Sequence, residues 1–156
     1  MKKRDFLLST LALTTGTLTM KTQADTETFE ITKSDADWAK SLTVEQFRVL
    51  RGHGTERAGS SPLDREKRSG VFHCAGCDLR LFASKAKFDS GTGWPSFYEP
   101  LPGAIRTSVD RSFFSTRTEV HCRRCGGHLG HVFDDGPAPT GLRYCMNGVA
   151  LKFVVT

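Results

Sequence analysis

The sequence predicts a β-rich domain that carries a small helical piece at its N-terminal side. Three observations predict it. Short runs mixing apolar and polar residues, divided by Gly, Pro and Asp, fill residues 71–155. A single capped helix signature stands upstream of them, at residues 43–51. Four of the five cysteines form two Cys-x-x-Cys pairs, Cys74/Cys77 and Cys122/Cys125. The chain has 156 residues, 38% hydrophobic and 25% charged, which fits one soluble domain with one core.

Residues 1–24, "MKKRDFLLSTLALTTGTLTMKTQA", have a basic start, an apolar stretch from Phe6 to Met20 and the small-x-small site Thr22-Gln23-Ala24. This is the pattern of an export signal peptide cleaved after Ala24. The apolar stretch is too short and too rich in threonine to span a bilayer, so no stable membrane insertion is expected. "KRDFLL" resembles a twin-arginine signal with Lys3 in place of the first arginine. The expected location is the bacterial periplasm. The formal charge is +5. Four cations and one anion of that balance lie in residues 1–24, and the remaining +2 is too little to argue for a polyanion, so no nucleic-acid partner is expected. Residues 25–33 read as a flexible polar lead-in, and residues 34–156 as the domain.

Within the domain, Thr43 and Gln46 make a capping box, and Val44, Phe47 and Leu50 recur at helical spacing before Gly52 and Gly54 stop the helix. Residues 55–70 read as loop. The strand candidates are "VFHC", "LRLFAS", "IRTSV", "RTEVHC", "HLGHVF" and the continuous run "LRYCMNGVALKFVV".

Two thiolates two residues apart grip one metal from a tight turn, and two such turns complete a tetrahedron. The spacing therefore favours one structural zinc ion (Zn2+) held by Cys74, Cys77, Cys122 and Cys125, each pair on its own hairpin, with left-handed backbone expected at Gly76 and Gly126. Haem attachment needs His directly after the second cysteine, and Asp78 and Gly126 stand there instead. Redox dithiols or two disulfides are the alternatives in an oxidising compartment. His73 and His121 precede the pairs as substitute ligands, but four thiolates already suffice.

Cys145 has no partner at that spacing. A lone cysteine is most simply a small buried hydrophobe. Its neighbourhood favours more: on a strand, Arg143, Cys145 and Asn147 share one face, opposite Tyr144 and Met146, and a cation beside a thiol favours the nucleophilic thiolate. "GGHLGHVFDDG" adds His128 and His131, which strict alternation places on opposite faces unless Gly130 bulges the strand. "FDSGTGWPSFYEP" adds Trp94 in a Gly/Pro loop, either simple packing or the apolar wall of a pocket.

Taken together, "SGTGWPSF", "HLGHVFDDGP" and "RYCMN", in this order, resemble the B-type methionine sulfoxide reductases, over residues 35–155. The resemblance implies two antiparallel β-sheets with short N-terminal helices and a zinc at one end. It implies that Cys145 attacks the sulfoxide sulfur and becomes a sulfenic acid. It implies that His128 and His131 bind and protonate the oxygen, that Asp135 orients a histidine or water, and that Arg143 lowers the Cys145 pKa. Asn147 would hold substrate or water, and Trp94 would cradle the S-methyl group and select the R epimer. Substrates would be oxidised proteins or peptides containing methionine-R-sulfoxide. Many members carry a resolving cysteine inside "SGCGWPSF"; here that position is Thr92, so the expected reductant is external, a thioredoxin-like protein or a small thiol. Two rival readings stand beside this one: a zinc-stapled, non-catalytic peptide-binding module, and another thiol-dependent oxidoreductase.

Overall fold

The computed structural model describes residues 27–156; the export segment expected at residues 1–24 lies outside the described residues. Two short helices open the domain, α1 (Asp35–Ser41) and α2 (Val44–Leu50). In α2 both halves of the capping box at Thr43 and Gln46 are formed. The sequence reading did not place α1. It is held by Ser34, whose side chain accepts from the Asp37 N–H, and by Trp38, which is buried. Residues 55–69 are loop apart from one 3-10 turn, Pro62–Arg65, and β1 takes up the expected loop's last residue, Gly70. Among the described residues, no helix is long and apolar enough to cross a membrane.

Two antiparallel sheets follow. The first is ordered β2-β1-β9, with β1 at Gly70–Cys74, β2 at Arg80–Ala83 and β9 at Leu151–Val155. The second is ordered β3-β4-β8-β7-β6-β5. Its strands are β3 (Lys87–Phe88), β4 (Ser96–Phe97), β5 (Ile105–Asp110), β6 (Arg117–Cys122), β7 (His128–Phe133) and β8 (Arg143–Met146). The expected fold class, mainly β with two antiparallel sheets and short N-terminal helices, is the one observed.

The run 142–155, expected as one strand, is two. A 3-10 turn at Gly148–Ala150 breaks it, so β8 pairs in one sheet and β9 in the other. The chain changes sheet at this point, and the core fills the space between. Phe97 of β4 stacks on Phe82 of β2 at 4.3 Å and meets Phe72 of β1 edge-on at 4.9 Å. Leu81, Val120, Leu129, Met146 and Leu50 are buried in the same cluster. β3 and β4 were not expected; they are two-residue strands that dock the loop between them onto β8.

Candidate active site

The cysteine pairs sit in two matching turns. Cys74 ends β1 and Cys77 lies in the β1–β2 turn; Cys122 ends β6 and Cys125 lies in the β6–β7 turn. In each turn the N–H of the residue after the second cysteine donates to the carbonyl of the first, Asp78 to Cys74 and Gly126 to Cys122, both at 2.9 Å. Those two residues are left-handed, with φ of 62° and 67°. Left-handed backbone is thus present at Gly126 as expected, but at Asp78 rather than Gly76. Asp tolerates that conformation better than most residues.

The four sulfurs fit zinc. Sγ of Cys74 and Cys125 are 3.8 Å apart, those of Cys77 and Cys122 are 3.5 Å apart, and all four lie within 4.8 Å of one another. Zinc–sulfur bonds of about 2.3 Å in a tetrahedron put sulfurs about 3.8 Å apart. All four cysteines are free thiols rather than disulfides. Packed sulfurs resist holding several charges: hydrogen bonds to Cys122 push Cys74 and Cys125 above the ordinary thiol range. A divalent cation removes that conflict. His73 and His121 stand outside the cluster; His73 bonds the Asp78 carbonyl, and His121 bonds Glu119 and Glu27.

Cys145 lies on β8 of the second sheet. The strand register sets a row across it: Ser96 on β4 faces Cys145 on β8, Cys145 faces His131 on β7, His131 faces Glu119 on β6, and Glu119 faces Ser108 on β5. Residues opposite one another in a sheet share a face, so this row is one surface. His128 joins it through a bulge. Val120 pairs with Gly130 but His121 pairs with His128, so Leu129 is the extra residue. A bulge of the kind the sequence allowed at Gly130 is present, centred on Leu129 instead. The imidazoles of His128 and His131 meet edge-on at 5.4 Å. Gly130 has a different function: a Cβ there would lie 2.1 Å from the Cys145 carbonyl oxygen. Only glycine lets β7 come this close to the cysteine's backbone.

Each histidine is held by a carboxylate. Glu119 accepts from His128 Nδ1 at 2.8 Å and from His121 Nδ1 at 3.0 Å, and Ser108 donates to it at 2.6 Å. Burial favours the neutral acid, but these hydrogen bonds overcome it and hold Glu119 well below the usual carboxylate range. His131 Nε2 bonds Asp110 Oδ2 at 2.7 Å. Burial pushes the His131 pKa down, and the Asp110 bond opposes that shift. His128 is 2% exposed, and its Nε2 has no hydrogen-bond partner among the described residues. A buried, unpartnered ring nitrogen in that position leaves a hydrogen-bonding site open to a ligand or water. Sequence reading missed Asp110 and Glu119, because each is far from its histidine along the chain. The signal available was weak: Glu119 alternates with His121 on one strand face.

Cys145 opens on a cavity of about 130 Å³ lined by Trp94, His131, Phe133, Arg117, Asn147 and Thr55 among others. A second cavity, of about 340 Å³, shares His131 and Arg117 with it and carries His128, Glu119 and Asp110. Trp94 is fixed by its Nε1, which donates to the Glu56 carbonyl at 3.2 Å. Burial pushes the Cys145 thiol up, against opposing effects from Arg143, Thr92 and Ser96. Arg143 lies over the Phe133 ring at 4.5 Å.

Two residues of the expected site have partners that the sequence did not show. Asp135 does not reach a histidine; it forms a two-point pair with Arg143, Oδ1 at 2.8 Å and Oδ2 at 2.9 Å, and so holds the guanidinium beside Cys145. Asn147 borders the Cys145 cavity and is itself held by backbone. β8 ends at Met146, and Asn147 is buried, with Oδ1 accepting from the Glu56 N–H at 2.9 Å and Nδ2 donating to the Leu129 carbonyl at 3.0 Å. It fastens the bulge and the Glu56 loop to the end of β8. The Glu56 carboxylate accepts from the Gly148 and Val149 N–H groups and completes that junction.

Residues 42–155 match the SelR domain. The chain belongs to the SelR domain family. It is 53% identical over 125 residues to the peptide methionine sulfoxide reductase MsrB of Agrobacterium fabrum, an alignment covering 80% of this chain and 93% of that one. It is 52% identical over 126 residues to the MsrB of Leptospira interrogans, covering 80% and 96%. To the chloroplastic peptide methionine sulfoxide reductase B1 of Arabidopsis thaliana it is 52% identical over 120 residues, covering 76% and 59%. The SelR match spans both cysteine turns, β8 and the loop carrying Trp94, so metal cluster and cavity both fall inside the family's domain.

Proposed function

We propose that this protein reduces methionine-R-sulfoxide in oxidised peptides and proteins, with Cys145 as the nucleophile. The observation that carries the reading is the cavity joining Cys145, Trp94 and His131 within a SelR domain. The Cys145 thiolate attacks the sulfoxide sulfur. The sulfoxide oxygen, bound between His128 and His131, takes one proton from the histidine pair, directly or through water, and passes to the cysteine sulfur as its bond to the methionine sulfur and the transient sulfur–sulfur bond break. Methionine leaves, reduced by two electrons, and Cys145 is left as a sulfenic acid, oxidised by two. Trp94 and Phe133 supply apolar wall for the methyl group, and the histidine side takes the oxygen, which distinguishes the epimers. Zinc held by Cys74, Cys77, Cys122 and Cys125 contributes structure alone, since four ligands leave no open position.

Regeneration uses an outside thiol. Thr92 stands at 4.0 Å from the Cys145 sulfur, where a disulfide would need a cysteine. Among the described residues every other cysteine is in the metal cluster. One external thiol displaces water from the sulfenic acid to form a mixed disulfide, and a second releases Cys145. A thioredoxin-like protein or a small thiol fits this scheme. The signal-like residues 1–24 support export, with the periplasm as the working compartment.

The test uses zinc-loaded protein, dithiothreitol, and the R and S epimers of N-acetyl-methionine sulfoxide offered separately. Turnover of R alone, abolished by Cys145→Ser, is expected. One turnover without reductant should leave Cys145 heavier by one oxygen and no internal disulfide. Turnover by the Cys145→Ser protein would overturn the assignment, and inactivity on both epimers would favour the binding-module reading.

A further inference from the structure

Cys145 has a second set of neighbours that the reaction above does not use. Thr92 Oγ1 lies 4.0 Å from the Cys145 sulfur. Ser90 Oγ lies 2.8 Å from Thr92 Oγ1 and 2.8 Å from Ser96 Oγ. The Ser96 hydroxyl donates to the Trp94 carbonyl at 3.0 Å. Ser96 is fully buried and stands opposite Cys145 in the strand register, so the far end of this line is rigid.

Each hydroxyl brings one proton, and each oxygen–oxygen link accommodates one. The line is therefore directional. In one polarity Ser96 donates to the Trp94 carbonyl, Ser90 donates to Ser96 and Thr92 donates to Ser90. The Thr92 oxygen then presents a lone pair to the sulfur and accepts a thiol S–H. In the other polarity Thr92 donates to the sulfur, Ser90 donates to Thr92 and Ser96 donates to Ser90. The change turns three hydroxyl rotors and moves no proton between oxygens. An S–H is a weak donor and a thiolate a strong acceptor, so the second polarity belongs to the charged sulfur.

We propose that Ser96, Ser90 and Thr92 form a hydroxyl relay whose direction follows the charge on Cys145, with Thr92 as the positioning residue that donates to the thiolate. This rests on Cys145 being the nucleophile. Threonine at this position then has a use of its own: it supplies a reversible hydrogen-bond partner to a sulfur that, with no neighbouring thiol, must wait for an outside reductant. Burial pushes the Cys145 thiol up, and hydrogen bonds from Thr92 and Ser96 act in the opposite direction, which agrees with the relay geometry. In the charged polarity Ser90 donates to Thr92 and polarises its hydroxyl toward the sulfur, so removal of either hydroxyl acts with the same sign.

The experiment measures the Cys145 pKa from the pH dependence of its carbamidomethylation by iodoacetamide, in zinc-loaded full-length protein, followed on the Cys145 peptide by mass spectrometry. Thr92→Val should raise that pKa by about one unit, the scale of a lost hydrogen bond to a charged group. Thr92→Ser should return it to the wild-type value. Ser90→Ala should raise it by less than Thr92→Val does, because Thr92 loses the donor that backs its own donation to the thiolate. A Thr92→Val protein with the wild-type pKa, a Thr92→Ser protein that stays shifted, or a Ser90→Ala pKa at or below wild type each overturns the relay. The readout needs no sulfoxide, so failure of the relay is separate from failure of the reductase reading.

Discussion

Cys145 and His131 are pushed in directions that oppose their proposed roles. Burial raises the thiol and lowers the imidazole, while the reaction needs a thiolate beside a protonated histidine. When the group that must lose its proton titrates above the group that must keep it, the active form is a constant minority between the two pKa values. kcat/KM should then show a plateau, falling below the lowered His131 pKa and above the raised Cys145 pKa. Asp110 adjusts the lower limb. Its bond to His131 raises the histidine pKa, so Asp110→Asn removes that support and the pKa falls further. The acid limb of kcat/KM should move to lower pH, and the plateau should drop about tenfold for each unit of that movement. An acid limb that stays in place would remove His131 from the proton inventory. None of this was legible locally: His128, His131 and Cys145 stand out in the sequence by type, but Asp110 and Glu119 look like ordinary strand charges until the sheet places them.

β7 shows what an element adds to its residues. Simple alternation puts His128 and His131 on opposite faces, and the sequence marked Gly130 as the place to break that rule. The break occurs one residue earlier, at Leu129, whose carbonyl accepts from both the backbone and side-chain N–H groups of Asn147. Those bonds come from the end of β8, so the bulge depends on a partner that local sequence does not reveal. Gly130 answers to the same neighbour, because β8 passes too close for any side chain. Gly130→Ala should lower the urea midpoint and cut kcat/KM at least about tenfold, through displacement of β7 from β8. Gly91→Ala makes the comparison: Gly91 has φ of 71° but open space around it, so only backbone strain of about 1 kcal/mol is expected. Equal losses in the two variants would show that close packing at Gly130 is unimportant. The helices differ in the same way. α2 was readable from its capping box and spacing, whereas α1 has seven residues and one buried anchor, Trp38, too little periodicity to register.

Across the whole molecule the metal cluster and the cysteine cavity are connected by β7. Cys122 and Cys125 belong to the β6–β7 hairpin, and the same strand continues into His128 and His131. Cys74 and Cys77 belong to the other sheet, so zinc ties the sheets at one end while Phe72, Phe82 and Phe97 pack them together in the core. Removing zinc with a strong chelator should lower the melting temperature by at least about 10 °C, since metal binding to such sites is folding free energy. Reductase activity should fall in step, as the histidine strand loses its anchor. A melting temperature unchanged by chelation, together with elemental analysis that finds no zinc, would leave the four cysteines without this function.

The sequence by itself determined the fold class, the grouping of four cysteines apart from the fifth, and the α2 boundaries, because spacing, capping and turn residues are local properties of the chain. It also determined which residue types were available for chemistry. Tertiary structure alone decided that the run 142–155 crosses between sheets, that Asp135 serves Arg143, and that Asn147 is fastened to backbone. It alone brought Asp110 and Glu119 to the histidines and set Ser96, Cys145, His131 and Glu119 in one row. These depend on strand register and on one bulge, and both are set by pairing between segments distant in the chain.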